Sequence, residues 1–584
     1  MLISNIFFIL AIVVLPGLLS SKLFQNKPQS LSLVYSFIIT LSFAWILFVI
    51  LFSINLQLGS ELLHFLIYLL GGLALIISFR LKPTIGQVSK TLLVLLLFFV
   101  VFISNTKAFV DWDALVSWNR WAIELYSNKY YPMNTGYPIL FPAIWSLIYK
   151  MQGNFVINIF AKAFLFYPSI IILLFAINIY KEISKSFSIV FIILIISYMV
   201  SPKSFSGYMD YPVAYVGLVS IMCIYCAENY KKINSQYFFA YLYAAIVISG
   251  IAMIVKQPGI FFYLFTIGYT IFNIKRFSKK QFIIAILLTL VSLLYELSFL
   301  VIFYNHANDF TGNLDYLVEL TNISLENIPQ RLLKFVSGNS GIIAITNTIV
   351  IVLLPISFIF SVKKSFKNAY KLEAVFLYCY ILGLIIWLYA FSYDIRNSIW
   401  VQMFGILSLS MYVQSFRSNQ KILLSDSKLN INSLKNPYIK VFTAIVLCGA
   451  IYPLVNSDDF IYSLQEKSQS VVGGGAATGK PLENILSKSD SCVVIYTNDQ
   501  PVRYNFFLAD YMDRISQGGW LQDQIPQIVE GARNNGCKYG AYILLNLPIM
   551  SQEKTDVIVN KFIKKHELES RNDILQGLYY IPIK

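Results

Sequence analysis

Runs of about 20 consecutive apolar residues recur along most of this chain, and each is long enough to cross a bilayer as an α-helix. Of the 584 residues, 57% are hydrophobic and only 13% are charged, whereas soluble domains carry about 25% charged residues. Inside lipid every backbone polar group needs a partner within the protein, and helices supply one. The sequence therefore predicts a polytopic α-helical membrane protein with about 14 spanning helices.

The predicted spans follow the apolar runs. The first run has neither a charged start nor a clear cleavage site, so we expect a retained helix there. The apolar stretch 137–150 is short for a span, and we expect it to be interfacial or re-entrant. The spans are predicted near 2–20, 31–54, 60–79, 90–106, 155–180, 187–201, 209–227, 236–255, 257–273, 281–303, 341–361, 373–391, 398–414 and 440–456.

The loops between these spans alternate in charge. One set is rich in Lys and Arg, which marks the cytoplasmic side, and the other set is mixed or acidic. This alternation also explains the net charge of +15 without nucleic acid, which we exclude as a partner. The cationic loops are those that contain Lys22–Lys27, Arg80–Lys90, Lys181–Lys185, Lys231–Lys232, Lys275–Lys280, Lys363–Lys371 and Arg417–Lys440.

Three domains are predicted: an N-terminal membrane module of three spans (1–89), a transmembrane catalytic domain (90–456) and an extracytoplasmic soluble domain (457–584). The last begins with a Gly-rich linker, VVGGGAATGK, and has the short apolar runs of a small α/β domain. A Cys492–Cys537 disulfide is left open. Strands are predicted at SCVVIYT, YGAYILL and LYYIPI, and helices near 502–515, 521–535 and 552–567.

The first long outer loop, residues 108–145, holds two acids directly after a predicted span. Asp111 and Asp113 are followed by a helix-like run of aromatic residues. Paired carboxylates act as a general base or bind a divalent cation. Asp is also favoured at the start of a helix, so the spacing alone leaves a purely structural role open.

Three further charges are predicted at the outer ends of spans. Asp210 stands at the entrance of a span, Lys256 lies in the tight turn VKQPG, and Arg396 lies in the short loop FSYDIRNSIW. Arginine recognises phosphate through two parallel hydrogen bonds from its planar fork. A surface pair with Asp394 for Arg396, and simple snorkelling for Lys256, remain alternatives.

These segments occur in a characteristic order over residues 90–415: DWDALVSWNRWAIELY, YPMNTGYPILFPAIWSLIYKMQG, MDYP, VKQPGIFF and YDIRN. The order resembles the GT-C class of membrane glycosyltransferases, especially bacterial relatives of the protein O-mannosyltransferases and of the lipid A aminoarabinose transferase. In that class the acidic loop usually follows the first span. Here three spans precede it, and we interpret them as an added module.

The resemblance implies a transferase that moves a sugar from a polyprenyl-phosphate carrier to a glycan, lipid or protein acceptor on the outer face of the cytoplasmic membrane. It implies catalytic roles for Asp111, Asp113 and Asp210, with Mg²⁺ or Mn²⁺ at Asp111 and Asp113 as a candidate cofactor. The substrate-binding residues that it implies are Trp118, Arg120, Tyr137, Lys256 and Arg396.

Two other functions remain open. An O-antigen ligase or polymerase would rely on Arg and His in a late outer loop, where His306 and Arg331 lie. A lipid or solute transporter would show paired, interrupted spans at the midplane of the membrane, and we find no convincing pair.

Overall fold

The computed structural model describes residues 2–25, 27–53, 56–80, 109, 114–127, 137–155, 157–199, 201, 204, 206–231, 233–306, 328–337, 341–364, 372–391, 395–417, 475–487, 493–497, 508, 511, 514–517, 530, 533, 539–543, 560, 561, 563–565, 567–576 and 578–582. Most of these residues are helical. The Cys492–Cys537 pair and the predicted spans 90–106 and 440–456 lie outside the described residues.

The helices are numbered here in chain order. Single turns of π-helix at Leu10–Val14, Ala114–Asn119 and Trp387–Phe391 and of 3₁₀-helix at Ile274–Arg276 and Ile395–Ser398 adjoin them. The helices are α1 (Leu2–Ile9), α2 (Leu15–Leu23), α3 (Gln29–Ser53), α4 (Leu56–Arg80), α5 (Arg120–Tyr126), α6 (Leu140–Gln152), α7 (Ile159–Ala163), α8 (Phe166–Glu182), α9 (Lys185–Met199), α10 (Asp210–Tyr230), α11 (Ser235–Met253), α12 (Gly259–Phe272), α13 (Lys279–His306), α14 (Ile328–Ser337), α15 (Gly341–Lys364), α16 (Leu372–Ile386), α17 (Ile399–Arg417) and α18 (Gly475–Leu486).

Eight helical segments within the described residues are long and apolar enough to cross a membrane. They are Ile3–Leu23, Gln29–Phe52, Glu61–Ser78, Ile159–Glu182, Asp210–Tyr230, Ser235–Met253, Lys279–Ser298 and Leu372–Tyr389. Shorter apolar helices occupy Lys185–Met199, Gly259–Phe272 and Ile343–Ile356. Each predicted span that falls on described residues coincides with a helix, whereas the total of about 14 stays a prediction.

The chain divides into two compact units. The first comprises Met1–Phe102, Trp121–Phe155 and Phe160–Val455, and the second comprises Ile103–Arg120, Val156–Ile159 and Asn456–Lys584. The predicted division into three domains stays a prediction.

In the first unit α10 is the central helix, since it is buried from Asp210 through Ala227. The neighbouring α11 begins where the side chain of Asn234 accepts hydrogen bonds from the backbone N–H groups of Gln236 and Tyr237. Such a cap satisfies donors that the first turn of a helix leaves unpaired. Because α10 and α11 pack side by side in opposite directions, the end of α11 returns to the start of α10.

The second unit contains a five-stranded sheet in the order β2-β1-β3-β5-β4. Strands β1 and β2, and β1 and β3, are parallel, whereas β5 is antiparallel to both β3 and β4. Opposite residues include Ile495 with Ile515 and Tyr542 with Tyr579. The strands are β1 (Val493–Thr497), β2 (Ile515–Gln517), β3 (Tyr539–Ile543), β4 (Glu569–Ser570) and β5 (Leu578–Pro582).

One sequence prediction for this region is wrong. The segment from Gly475 to Lys480, expected to belong to a linker, is helical and forms the first half of α18, because Leu482, Ile485 and Leu486 anchor that helix in the core of the second unit. Most of the helix expected near 502–515 lies outside the described residues, and Ile515, at its predicted end, begins β2.

Candidate active site

Asp210 is the first residue of α10, and the turn before it fixes its position. Gly207 has a φ of 107°, a backbone conformation that residues with a Cβ rarely adopt. The chain then enters the helix through Met209, and Asp210 is buried in the first helical turn. A carboxylate is favoured there because the helix N-terminus carries partial positive charge.

Lys256 lies in the tight turn between α11 and α12. The N–H of Gly259 donates to the carbonyl of Lys256 at 2.9 Å. A Cβ on Gly259 would stand 2.1 Å from the carbonyl oxygen of Ala252, so only glycine permits so close a turn. The turn points Lys256 back toward the start of α10.

Asp210 and Lys256 form an ion pair. The Lys256 Nζ lies 2.5 Å from the Asp210 Oδ1, and the two side chains are only 12% and 7% exposed. A charge pair held so far from water retains most of its attraction, and either charge left alone would be costly. The sequence predicted both residues at this end of the bundle but not their pairing.

Tyr137 lies beside the same turn. The N–H of Leu140 donates to the carbonyl of Ile254 at 2.9 Å, which ties the start of α6 to the turn between α11 and α12. The Lys256 Nζ is 6.0 Å from the centroid of the Tyr137 ring. The Trp121 ring stacks on the Tyr137 ring, with their centroids 6.2 Å apart. Aromatic faces therefore border the ion pair on one side.

Arg396 approaches from the 3₁₀ turn that precedes α17. Its guanidinium carbon lies 3.8 Å from the centroid of the Tyr208 ring, so cation and ring are in close contact. Tyr208 stands two residues before Asp210, which places the arginine at the same end of the bundle as the ion pair. Stacking holds a guanidinium by its face, while its hydrogen bonds are made at its edge.

We call this group the Asp210 cluster: Asp210, Lys256, Tyr137, Tyr208 and Arg396. All five residues belong to the first unit. Four of them were singled out from the sequence, and their catalytic and binding roles stay predictions. Tyr208 and the neighbouring Trp121 were not assigned contacts from the sequence.

For the other predicted site residues, the structure describes either no position or a position in the second unit. Asp111, Asp113 and Asp394 lie outside the described residues. Trp118, which is buried, and Arg120, which is half-buried, belong to the second unit. Among the described residues no group of three or more His, Cys, Asp or Glu side chains is placed to hold a metal ion.

Arg331, proposed for the ligase alternative, has a backbone partner. It donates from a guanidinium nitrogen to the carbonyl oxygen of Leu388 at 3.1 Å. One turn further along α14, the Phe335 ring lies 5.1 Å from the Trp387 ring. These contacts fix α14 against the π-helical turn that precedes Arg396. The side chain of His306 lies outside the described residues.

Comparisons with known proteins give one likeness. No family model matches the chain, and no curated protein matches it. Among solved structures the chain is similar to ArnT from Cupriavidus metallidurans in the apo state, with 10% sequence identity and a TM-score of 0.38, over 85% of this chain and 98% of that chain. Function is therefore inferred from the residues of the site.

Proposed function

We propose that this protein is a membrane glycosyltransferase that moves a sugar from a polyprenyl-phosphate carrier to an acceptor. The observation that carries the proposal is the Asp210–Lys256 ion pair beside Arg396, at one end of a bundle of membrane-length helices. The order of motifs that resembles the GT-C class supports the same function.

The position of the cluster suits an amphiphilic donor. A polyprenyl-phosphate sugar has its tail in lipid and its charged head at the interface, so a protein site for it belongs at the ends of spanning helices. Arg396 and Lys256 supply two cations for the phosphate, and cations placed where negative charge develops stabilise the transition state. Tyr137 and Tyr208 give flat surfaces for the sugar or the first prenyl units.

The ion pair suggests how donor binding prepares the base. When a phosphate reaches Lys256, that ammonium gains a second anion and its hold on Asp210 weakens. The carboxylate then accepts the proton of the acceptor hydroxyl, while that oxygen bonds to the anomeric carbon. The bond from this carbon to the phosphate oxygen breaks, and polyprenyl phosphate leaves with the electron pair. A single displacement of this kind inverts the anomeric centre.

The other predicted roles complete the proposal. Asp111 or Asp113 would assist as base or hold a divalent cation, and Trp118 and Arg120 would contact substrate. The chain would be a multi-pass protein of the cytoplasmic membrane, with the Asp210 cluster and the C-terminal unit on the outer side. A glycan, a lipid or a protein hydroxyl are the candidate acceptors.

An in vitro transfer assay tests the proposal, using purified protein and a panel of polyprenyl-phosphate sugars. We expect Asp210→Asn to lower kcat at least about 100-fold, since a positioned general base contributes that much or more. Glu182→Gln is the control, because this half-buried carboxylate lies near Tyr241 and Tyr230, at the end of α10 opposite Asp210.

Turnover by Asp210→Asn at the wild-type rate would show that Asp210 is not the base. If Asp111→Asn and Asp113→Asn also turned over normally, the roles of the loop acids would be wrong. Loss of activity in Arg331→Gln alone, with the Asp210 cluster variants unaffected, would favour the ligase or polymerase alternative.

A further inference from the structure

Gln402 is a buried amide that the mechanism above does not use. It lies in the first turn of α17, six residues after Arg396, and is only 1% exposed. Neither its amide nitrogen nor its amide oxygen has a hydrogen-bond partner among the described residues. Native proteins seldom leave buried donors and acceptors unpaired, since each has given up its bonds to water.

The packing of α17 shows which neighbours Gln402 faces. A Cβ on Gly405 would lie 2.8 Å from the Val350 side chain of α15 and 2.9 Å from the Tyr380 ring of α16. Gln402 stands three residues before Gly405, and Asn347 stands three residues before Val350. Helices α15 and α17 both run away from the end of the bundle that holds Asp210. By helix geometry Gln402 therefore lies level with Asn347.

Other polar groups converge on this position. Asn347 accepts a hydrogen bond from the Tyr198 hydroxyl of α9 and donates to the carbonyl of Phe335 at 2.9 Å. The Tyr380 ring lies against Gly405, less than one helical turn beyond Gln402 on α17. The Tyr380 hydroxyl is buried and, among the described residues, has no hydrogen-bond partner either.

The chemistry of this group differs from that of the Asp210 cluster. Gln402, Asn347, Tyr198 and Tyr380 offer only neutral donors and acceptors on aromatic and amide side chains. The charged groups lie at the helix starts: Arg396 precedes α17, and Asp210 is the first residue of α10, directly before Tyr211. Such neutral side chains suit hydrogen bonds with hydroxyl groups, whereas the neighbouring cations suit a phosphate.

We propose that Gln402 and Tyr380 bind the hydroxyl groups of the transferred sugar while Arg396 and Lys256 hold its phosphate. This inference rests on the proposed function and adds the part of the site that recognises the sugar. Gln402 lies six residues further along the chain than Arg396 and one turn into α17, so the neutral group lies deeper in the bundle than the arginine. The bound hydroxyls would supply the partners that Gln402 and Tyr380 lack.

Binding to the purified full-length protein in nanodiscs tests this inference. The probes are polyprenyl-phosphate mannose, glucose and arabinose, and polyprenyl phosphate without a sugar. We expect wild type to bind at least one sugar-bearing lipid more tightly than the bare lipid. Tyr380→Phe and Gln402→Leu should each weaken that binding about fivefold and leave the bare lipid unaffected, because each removes neutral hydrogen bonds only.

Tyr225→Phe is the control, since it removes another buried tyrosine hydroxyl, which donates to Gln414 at 2.6 Å at the far end of α10. It should change neither affinity. Tyr380→Phe deletes a single oxygen and carries the test if Gln402→Leu does not fold.

Unchanged binding of the sugar-bearing lipid by Tyr380→Phe and Gln402→Leu would overturn the inference. The buried polar atoms of Gln402 and Tyr380 would then be partners of water and not of the sugar. Equal affinity of wild type for lipids with and without sugar would overturn it too, while leaving the phosphate site intact. If wild type bound none of the four lipids, the proposed function itself would be contradicted, and this inference with it.

Discussion

A carboxylate lies near each end of α10, and the two are used in different ways. At the Asp210 end, one carboxylate pairs with Lys256 from another turn, and Arg396 rests on an aromatic ring nearby. We call the opposite end the Glu182 end. There the Glu182 carboxylate accepts hydrogen bonds from the backbone N–H groups of Gln29 and Ser30, at 2.7 and 3.3 Å, and from the Ser30 hydroxyl. The Ser30 hydroxyl also contacts Tyr241.

This difference separates a structural carboxylate from a candidate for chemistry. Glu182 caps the first turn of α3, and its neutral donors have no reason to change partner when an anion arrives. Asp210 pairs with the ammonium of Lys256, which a phosphate would also attract. The comparison predicts that changes at the Asp210 end affect activity, whereas changes at the Glu182 end affect stability alone.

The largest expected effect is on stability, in Lys256→Met. This change leaves Asp210 buried without its partner and should lower the free energy of unfolding by about 3 kcal/mol. The double variant Lys256→Met/Asp210→Asn should recover part of that loss, because no charge remains. Unfolding by detergent titration measures both. Arg571→Gln, which breaks an exposed pair with Asp573, is the control and should change little. An equal loss in Arg571→Gln would mean that burial is unimportant for the Asp210 pair.

Arg396→Gln should raise the KM for the polyprenyl-phosphate donor about 10- to 100-fold, because charge-assisted hydrogen bonds contribute about 1.5–3 kcal/mol. Steady-state kinetics at varied donor concentration measure it. Arg276→Gln removes a cation from the Glu182 end and serves as the matched control. A similar KM increase in both variants would point to general attraction of the lipid, not to a site.

Tyr208 positions Arg396 through its ring, so only the loss of the ring should matter. Tyr208→Leu should raise the donor KM about fivefold with a smaller change in kcat, as expected for one cation–π contact of about 1 kcal/mol. Tyr208→Phe keeps the aromatic face and should behave like wild type. If the phenylalanine variant were as impaired as the leucine variant, the hydroxyl and not the face would be the important group.

Glu182→Gln should lower the free energy of unfolding by about 1 kcal/mol, the usual contribution of a helix cap, with kcat and KM unchanged. Thermal unfolding and the transfer assay on the same preparation test this. A loss of activity larger than the loss of folded protein would break the distinction between the two ends.

The smallest expected effect is pH-dependent and lies at the surface of the second unit. The Arg571 guanidinium donates to Asp573 and lowers the pKa of that carboxyl below its usual value of 3.8. The resulting stability is present above pH 3.8 and is lost as the pH falls through the lower folded pKa. Amide exchange of residues 571–578 should become faster over this window in wild type. In Asp573→Asn it should be independent of pH after correction for intrinsic rates.

Much of the helical part of the fold could be predicted from the sequence, because a lipid-spanning helix needs a long apolar run. Helix α11 was expected at 236–255 and occupies Ser235–Met253, with Asn234 as its cap. The first half of α18 was missed because three consecutive glycines suggested a linker. Its apolar residues Leu482, Ile485 and Leu486 carried the contrary signal.

The charged residues of the candidate site could be predicted, whereas their contacts could not. Asp210, Lys256 and Arg396 are conspicuous because charge is rare near the ends of spans. Tyr208 is one of 39 tyrosines, so nothing in the sequence marks it as the ring under the arginine. The Asp210–Lys256 pair joins residues 46 positions apart, which only tertiary packing brings together.

Photo-crosslinking with a polyprenyl phosphate that carries a diazirine next to its phosphate tests the central claim most directly. The proposed site predicts crosslinks at 208–210, 254–258 and 395–398, with competition by unmodified polyprenyl-phosphate sugar and loss in Arg396→Gln. Crosslinks confined to the Glu182 end, or unaffected by competitor and by Arg396→Gln, would contradict a phosphate site at the Asp210 cluster.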